Sequence, residues 1–137
     1  MNRNQEIIHT VLKYYPAVQA IYLYGSYGTD AEWPDSDVDI ALLLPPEQAK
    51  KAGSLIMSDL QNALVKLLHK DIDLINLRLV STVLQKEIVF ADRRIYCRDD
   101  FAVDEFEMLV LSFYQHLNQK RKDILEAFRR TRRAFPV

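Results

Sequence analysis

Five apolar residues, Ile7, Ile8, Val11, Leu12 and Tyr15, recur at helical intervals among polar neighbours, predicting an amphipathic helix over 3–15 that Pro16 stops. The period then changes. Ala20-Ile21-Tyr22-Leu23-Tyr24 is β-branched and aromatic, so it reads as a strand ending at Gly25. Residues 26–36 are rich in turn formers, with room for one helical turn after Ser26. From Asp37 to Leu44 the period is two. Val38, Ile40, Leu42 and Leu44 share one face of a second strand, and Asp37, Asp39, Ala41 and Leu43 the other. Pro45-Pro46 closes it.

One helix is expected over 47–69, with Leu55, Ile56, Leu60, Ala63, Leu64, Leu67 and Leu68 as its buried stripe. A third strand over 71–77, a helix over 81–92 and a short strand at Arg94-Ile95-Tyr96-Cys97 follow. The last element is a long helix from about residue 103 to about 133. Its main stripe is Phe106, Leu109, Val110, Phe113, Leu117, Ile124 and Phe128, while Phe101, Met108 and Leu111 fall on roughly the opposite side. In so small a chain that second patch points to a partner rather than to wrapping by neighbours. Helices interleaved with short strands predict an α/β fold: a small mixed β-sheet flanked by helices, with a long C-terminal helix. No repeat, linker or low-complexity stretch divides the 137 residues, so one domain is expected over 1–137.

Composition narrows the classes. With 49% hydrophobic and 27% charged residues the chain has globular stock rather than that of a disordered one. Cys97 stands alone, which excludes an internal disulfide framework and a multi-thiolate zinc site. No apolar run suits a membrane span and the first residues lack a signal-peptide core, so a cytoplasmic protein without a membrane anchor is expected. A net charge of −1 offers no bulk field for nucleic acid, and direct binding of it is not expected. The balance is uneven, however. Residues 120–133 hold seven basic and two acidic groups, leaving 11 basic against 17 acidic in the first 119. That basic end is either a solvated helix terminus suited to its dipole or a contact surface for an acidic partner or RNA.

Only Gly25, Gly28 and Gly53 are present, which excludes a Walker A loop and a dinucleotide-binding G-x-G-x-x-G. His9, His69 and His116 stand on separate predicted helices without metal-ligand spacing, and no G-x-S-x-G elbow exists. The chemistry is acidic instead. Asp37 and Asp39, two apart on a strand, project from one face and repel unless a cation lies between them. Such hard oxygen ligands suit Mg²⁺, which prefers carboxylates, water and substrate phosphates. Gly25-Ser26 closes the preceding strand, where a bare backbone, free amides and a hydroxyl can approach a phosphate. Asp73, between Ile72 and Leu74 on a third strand, faces the same metal if the strands are neighbours. A phosphate-binding turn and three carboxylates are the parts of a metal-assisted displacement at phosphorus, with Asp73 as base or third ligand.

Gly25-Ser26, ten residues, then Asp37-Val38-Asp39 resembles the G-S-x(10)-D-x-D signature of the DNA polymerase β-like nucleotidyltransferase superfamily, and Asp73 resembles its third carboxylate. The likeness covers roughly residues 18–78. Brevity makes the chain similar to the minimal nucleotidyltransferase antitoxins of HEPN/MNT toxin–antitoxin pairs. The resemblance implies a nucleotidyltransferase fold with a catalytic core over about 18–98. It also implies ATP as substrate, Mg²⁺ as cofactor, and transfer of AMP to a tyrosine of a partner HEPN ribonuclease toxin with release of pyrophosphate. Gly25 and Ser26 would hold the triphosphate, Asp37 and Asp39 the metal, and Asp73 would act as base or third metal ligand. Two alternatives share the residues: transfer to a small molecule such as an aminoglycoside, and an antitoxin that acts by docking alone. A G-x-x-G RNA clamp at Gly25–Gly28 is disfavoured by its acidic neighbours. Of the lesser candidates, Trp33 is expected to pack its loop against the body. Asp30, Glu32 and Asp35 are expected to be solvated. Arg78 could reach a phosphate, and Tyr22, Tyr24 and Tyr27 flank the site.

Overall fold

The computed structural model describes residues 2–34 and 36–134. Helix α1 (Arg3–Tyr14) starts at a capping box: the Asn2 side chain accepts from the Gln5 amide at 2.8 Å, and Gln5 Oε1 accepts from the Asn2 amide at 3.1 Å. Strands β1 (Ala20–Tyr24) and β2 (Val38–Leu43) form where the sequence predicts them. The predicted single helix over 47–69 is instead two helices, α2 (Pro46–Ala52) and α3 (Asp59–Leu68). Two local signals break it. Gly53 ends α2 at a φ of +58°, and the Ser58 hydroxyl caps α3 by accepting from the Gln61 amide at 3.1 Å. Ile56 falls in the break and is exposed rather than part of the stripe, whereas Leu55, Leu60, Leu64 and Leu68 are buried.

Strand β3 (Ile72–Asn76), a 3₁₀ turn at Leu77–Leu79, helix α4 (Thr82–Phe90), strand β4 (Arg94–Cys97) and helix α5 (Asp100–Ala134) complete the chain. The sheet order is β3-β2-β1-β4, with β2 and β3 parallel and the other pairs antiparallel. The parallel pair is possible because α2 and α3 provide the crossover between them.

The alternation in β2 sorts residues between two apolar layers. Val38, Ile40, Leu42 and Leu44 pack with Ile7 and Val11 of α1 and with Leu60, Leu64 and Leu68 of α3. Ala41 and Leu43 pack on the opposite face with Ile88 of α4 and with Val103, Phe106 and Val110 of α5. Truncating Leu64, which is fully buried, to alanine removes contacts worth about 2–5 kcal/mol.

Only the start of α5 belongs to this core. Its 35 residues extend about 52 Å at 1.5 Å per residue, far beyond strands of four to six residues. Of the predicted stripe, Phe106 and Val110 are buried, while Leu109, Phe113, Ile124 and Phe128 are exposed along with Phe101 and Met108. Helical periodicity is thus present over a length for which the body offers no surface.

Candidate active site

Strand pairing places three polar side chains in one row. Tyr24 of β1 lies opposite Asp39 of β2, and Asp39 lies beside Asp73 of β3. All three project from the face that carries Ala41 and Leu43, at the end of the sheet where β1 finishes and β2 and β3 begin. Asp37 stands two residues before Asp39, just outside β2, and is exposed like Asp73. Asp39 is half-buried. Burial first, then the charges of Asp73 and Asp37, hold its carboxyl above the ordinary carboxylate range. Asp37 and Asp73 are therefore near enough to oppose the ionisation of Asp39.

Tyr24 spans the row. Its hydroxyl donates to Asp73 Oδ2 at 3.3 Å, and burial together with the Asp73 and Asp39 charges raises the phenol well above its usual range. It stays a protonated donor to that carboxylate at any physiological pH.

Gly25 begins the turn that faces Asp39. Its φ is +74°, and a Cβ there would stand 2.1 Å from Asp39 Oδ2. Only glycine lets the backbone lie against that carboxylate. Ser26 follows in a tight turn, where its carbonyl accepts from the Thr29 amide at 3.0 Å and from the Thr29 hydroxyl at 2.6 Å. Among the described residues between Ser26 and Asp37 there are turns and no regular helix.

Two cations that sequence reasoning did not single out fasten this loop. Arg93 donates through Nη1 to the Gly25 carbonyl at 2.7 Å and through Nη2 to the Tyr27 carbonyl. Lys70 pairs with Glu32 at 3.4 Å, donates to the Pro34 carbonyl at 3.4 Å and lies 6.0 Å from the centre of the Tyr27 ring. The only signal for either was charge, and both stand far from the loop in sequence.

The other candidates separate from the site. Trp33 is 71% exposed and does not pack its loop against the body. Arg78 points away from any phosphate site: it donates to the Leu44 carbonyl and to Gln19 Oε1 at the opposite end of β2. Tyr22 is buried and donates to Glu107 at 2.7 Å, so it anchors α5. His9, His69 and His116 are exposed, as expected. Asp30 and Glu32 are exposed; Asp35 lies outside the described residues.

Asp37 and Asp73 are exposed and Asp39 is half-buried, so the row reaches solvent. A cleft of about 490 Å³ lies on the other side of the turn, lined by Arg3, Leu23, Tyr27, Glu32, Arg93 and Ile95 among others, and contains none of the three aspartates. Nor do any three His, Cys, Asp or Glu side chains among the described residues close into a metal cage. Hard carboxylate oxygens on an open face nevertheless suit Mg²⁺, which binds through one or two carboxylates and completes its shell with water and phosphate.

Comparison with known proteins settles the family. The sequence pattern of the polymerase beta nucleotidyltransferase family matches residues 5–101. The chain belongs to that family. As a nucleotidyltransferase it is 33% identical over 128 residues to the protein adenylyltransferase MntA of Shewanella oneidensis, covering 92% of this chain and 86% of the relative. It superposes on a chain of a toxin–antitoxin crystal structure with AMP-PNP at a TM-score of 0.71, with 29% identity, covering 93% of this chain and 98% of the other. A second match is to a complex of a tri-AMPylated Shewanella oneidensis HEPN toxin with its MNT antitoxin. There the TM-score is 0.65 and the identity 29%, covering 91% and 94% of the two chains. Among the described residues no helix is long and apolar enough to cross a membrane.

Proposed function

We propose that this nucleotidyltransferase is an antitoxin that transfers AMP from ATP to a tyrosine of a partner HEPN ribonuclease toxin, releasing pyrophosphate and silencing the toxin. The observation that carries the reading is the Asp39–Asp73 register beside Gly25, with Asp37 and Asp73 exposed. Similarity along nearly the whole chain to an adenylyltransferase, and to a chain of complexes with a HEPN toxin, supports the acceptor class.

In this reading Gly25 and Ser26 hold the triphosphate through backbone and hydroxyl. Asp37 and Asp39 would hold Mg²⁺, whose charge neutralises the phosphates when bound. Asp73 takes the proton of the acceptor hydroxyl as its oxygen attacks the α-phosphorus, and the bond to pyrophosphate breaks. Tyr24 keeps the Asp73 carboxylate oriented through its hydrogen bond. Residues 1–137 act as one minimal domain, with a catalytic core over about 18–98, in the cytoplasm where ATP and ribonuclease targets meet. The exposed apolar face of α5, with Phe101, Met108 and Leu109 around a groove of about 490 Å³, is where the partner docks and completes the acceptor site.

Incubation with α-labelled ATP, Mg²⁺ and the cognate HEPN partner tests this. Wild-type chain should label the partner and Asp39→Ala should not. Labelling that persists in the variant would remove the assigned mechanism. Labelling of small alcohols without any partner would favour the small-molecule alternative.

A further inference from the structure

The turn that follows β1 has to present amides and a hydroxyl outward while its own carbonyls are kept from competing for the same space. Two of those carbonyls, Gly25 and Tyr27, point to one side, and both are taken by a single guanidinium. Arg93 is well placed for this because it stands immediately before β4, and its own carbonyl accepts from the Leu23 amide at 3.0 Å. Backbone and side chain of one residue therefore tie the end of β1 and the turn beyond it to the same point. The approach is close: a Cβ on Gly28 would stand 3.4 Å from Arg93 Nη2. A guanidinium is suited to this because its planar fork offers several fixed donors, whereas an ammonium is a point charge.

Across the turn, the Gly28 amide donates to Glu32 Oε2 at 3.2 Å, so an anionic oxygen already rests on one of the turn's amides. With its carbonyls engaged by Arg93 on one side, the turn receives an anion on another. We infer that Arg93 is a positioning residue for nucleotide binding, locking the Gly25–Gly28 turn in the conformation that accepts the triphosphate. It touches neither the nucleotide nor the reacting atoms, and it acts through the backbone of Gly25 and Tyr27. This rests on the proposed function, because the triphosphate is placed on the turn by that reading.

Two measurements on the full chain test it. In the nucleotide-free protein, hydrogen exchange at the Gly28 and Thr29 amides, which donate to Glu32 and to the Ser26 carbonyl, should accelerate in Arg93→Ala while the α3 and β2 amides keep their protection. In nucleotide binding and turnover, Arg93→Ala should weaken ATP affinity and raise the ATP KM by about tenfold, with kcat changed far less. Arg93→Lys should recover only part of the affinity, and millimolar guanidinium should restore binding to Arg93→Ala but leave the wild type unchanged. An unchanged ATP affinity in Arg93→Ala, beside a wild type that binds, overturns the inference. So does protection lost in step across the whole chain, which marks a merely structural role. A wild-type chain that binds no ATP fails earlier, at the proposed function, and takes this inference with it.

Discussion

The two ends of the sheet are built on opposite rules. At the end that holds the C-terminus of β2, Arg78 lies against Phe106 and donates to the Leu44 carbonyl and to Gln19, while Asn76 donates to the Ala49 and Gly53 carbonyls at 3.0 Å each. Most polar groups there are hydrogen-bonded, with the buried Asn76 Oδ1 left without a partner among the described residues. At the other end Asp37, Asp39 and Asp73 face one another, and among the described residues no ion pair includes any of them. Burial and like charge hold Asp39 above its ordinary range. The first end stabilises the fold; the second retains repulsion that a bound cation can relieve. Uncompensated like charge gathered at one end of the sheet is the physical mark of the site.

The sharpest way to break this contrast is Asp39→Asn. AMP transfer should fall by about 10³-fold, while the fold becomes more stable at neutral pH. The sign follows from the raised carboxyl: the folded state holds that proton more tightly than the unfolded chain does. The stability it contributes is complete below the unfolded value and lost as pH rises through the folded one. Thermal melts in the absence of Mg²⁺ should show the variant above the wild type at pH 7, with the gap closing as the pH falls into the carboxylate range. Equal melting at pH 7 would mean that the repulsion is not felt.

Gly25→Ala should follow, with transfer down by about 100-fold and stability down by about 1 kcal/mol, because the new Cβ meets Asp39 and the positive φ is strained. Chemical denaturation and labelled-AMP transfer read the two losses separately. Arg78→Met sharpens the comparison from the matched end. It should cost about 1–3 kcal/mol in denaturant while AMP transfer by the folded fraction stays within about twofold. A selective loss of transfer would mean that the two ends are coupled. The smallest effect is expected on the free arm of α5: Ile124→Ser with Phe128→Ser should shift the stability of the isolated chain by no more than about 0.5 kcal/mol. The same pair should weaken the complex with the HEPN partner, read by calorimetric titration.

The legibility of this fold in its sequence tracks where local chemistry decides. The period of two in β2 sorted Val38, Ile40, Leu42 and Leu44 from Ala41 and Leu43 correctly, because a strand buried on both faces leaves no freedom of register. The β1, β2 and β4 segments needed little correction for similar reasons. The helix over 47–69 was misread because apolar spacing continues across Gly53–Ser58, and the capping chemistry of Gly53 and Ser58 outweighs it. The α5 stripe was misread in the other direction: periodicity fixes a face but not whether anything covers it. At the site, the adjacency of Asp39 and Asp73 was readable from strand type and residue class, although strand order had to be supposed. Arg93 and Lys70 were not readable, since their roles depend on backbone carbonyls brought near by the fold. Trp33 was expected to pack its loop against the body and is exposed instead, because an aromatic residue in a turn does not show whether the body offers it a surface.

The central claim, that the repelling end of the sheet transfers AMP to a protein tyrosine, is tested most directly by intact-mass spectrometry of the HEPN partner. The partner is incubated with this chain, ATP and Mg²⁺, beside an Asp37→Ala/Asp39→Ala control and a reaction without Mg²⁺. The account predicts mass gains in AMP-sized steps that are absent from both controls. An unmodified partner in a stable complex with the wild-type chain would contradict it and leave docking alone as the antitoxin mechanism.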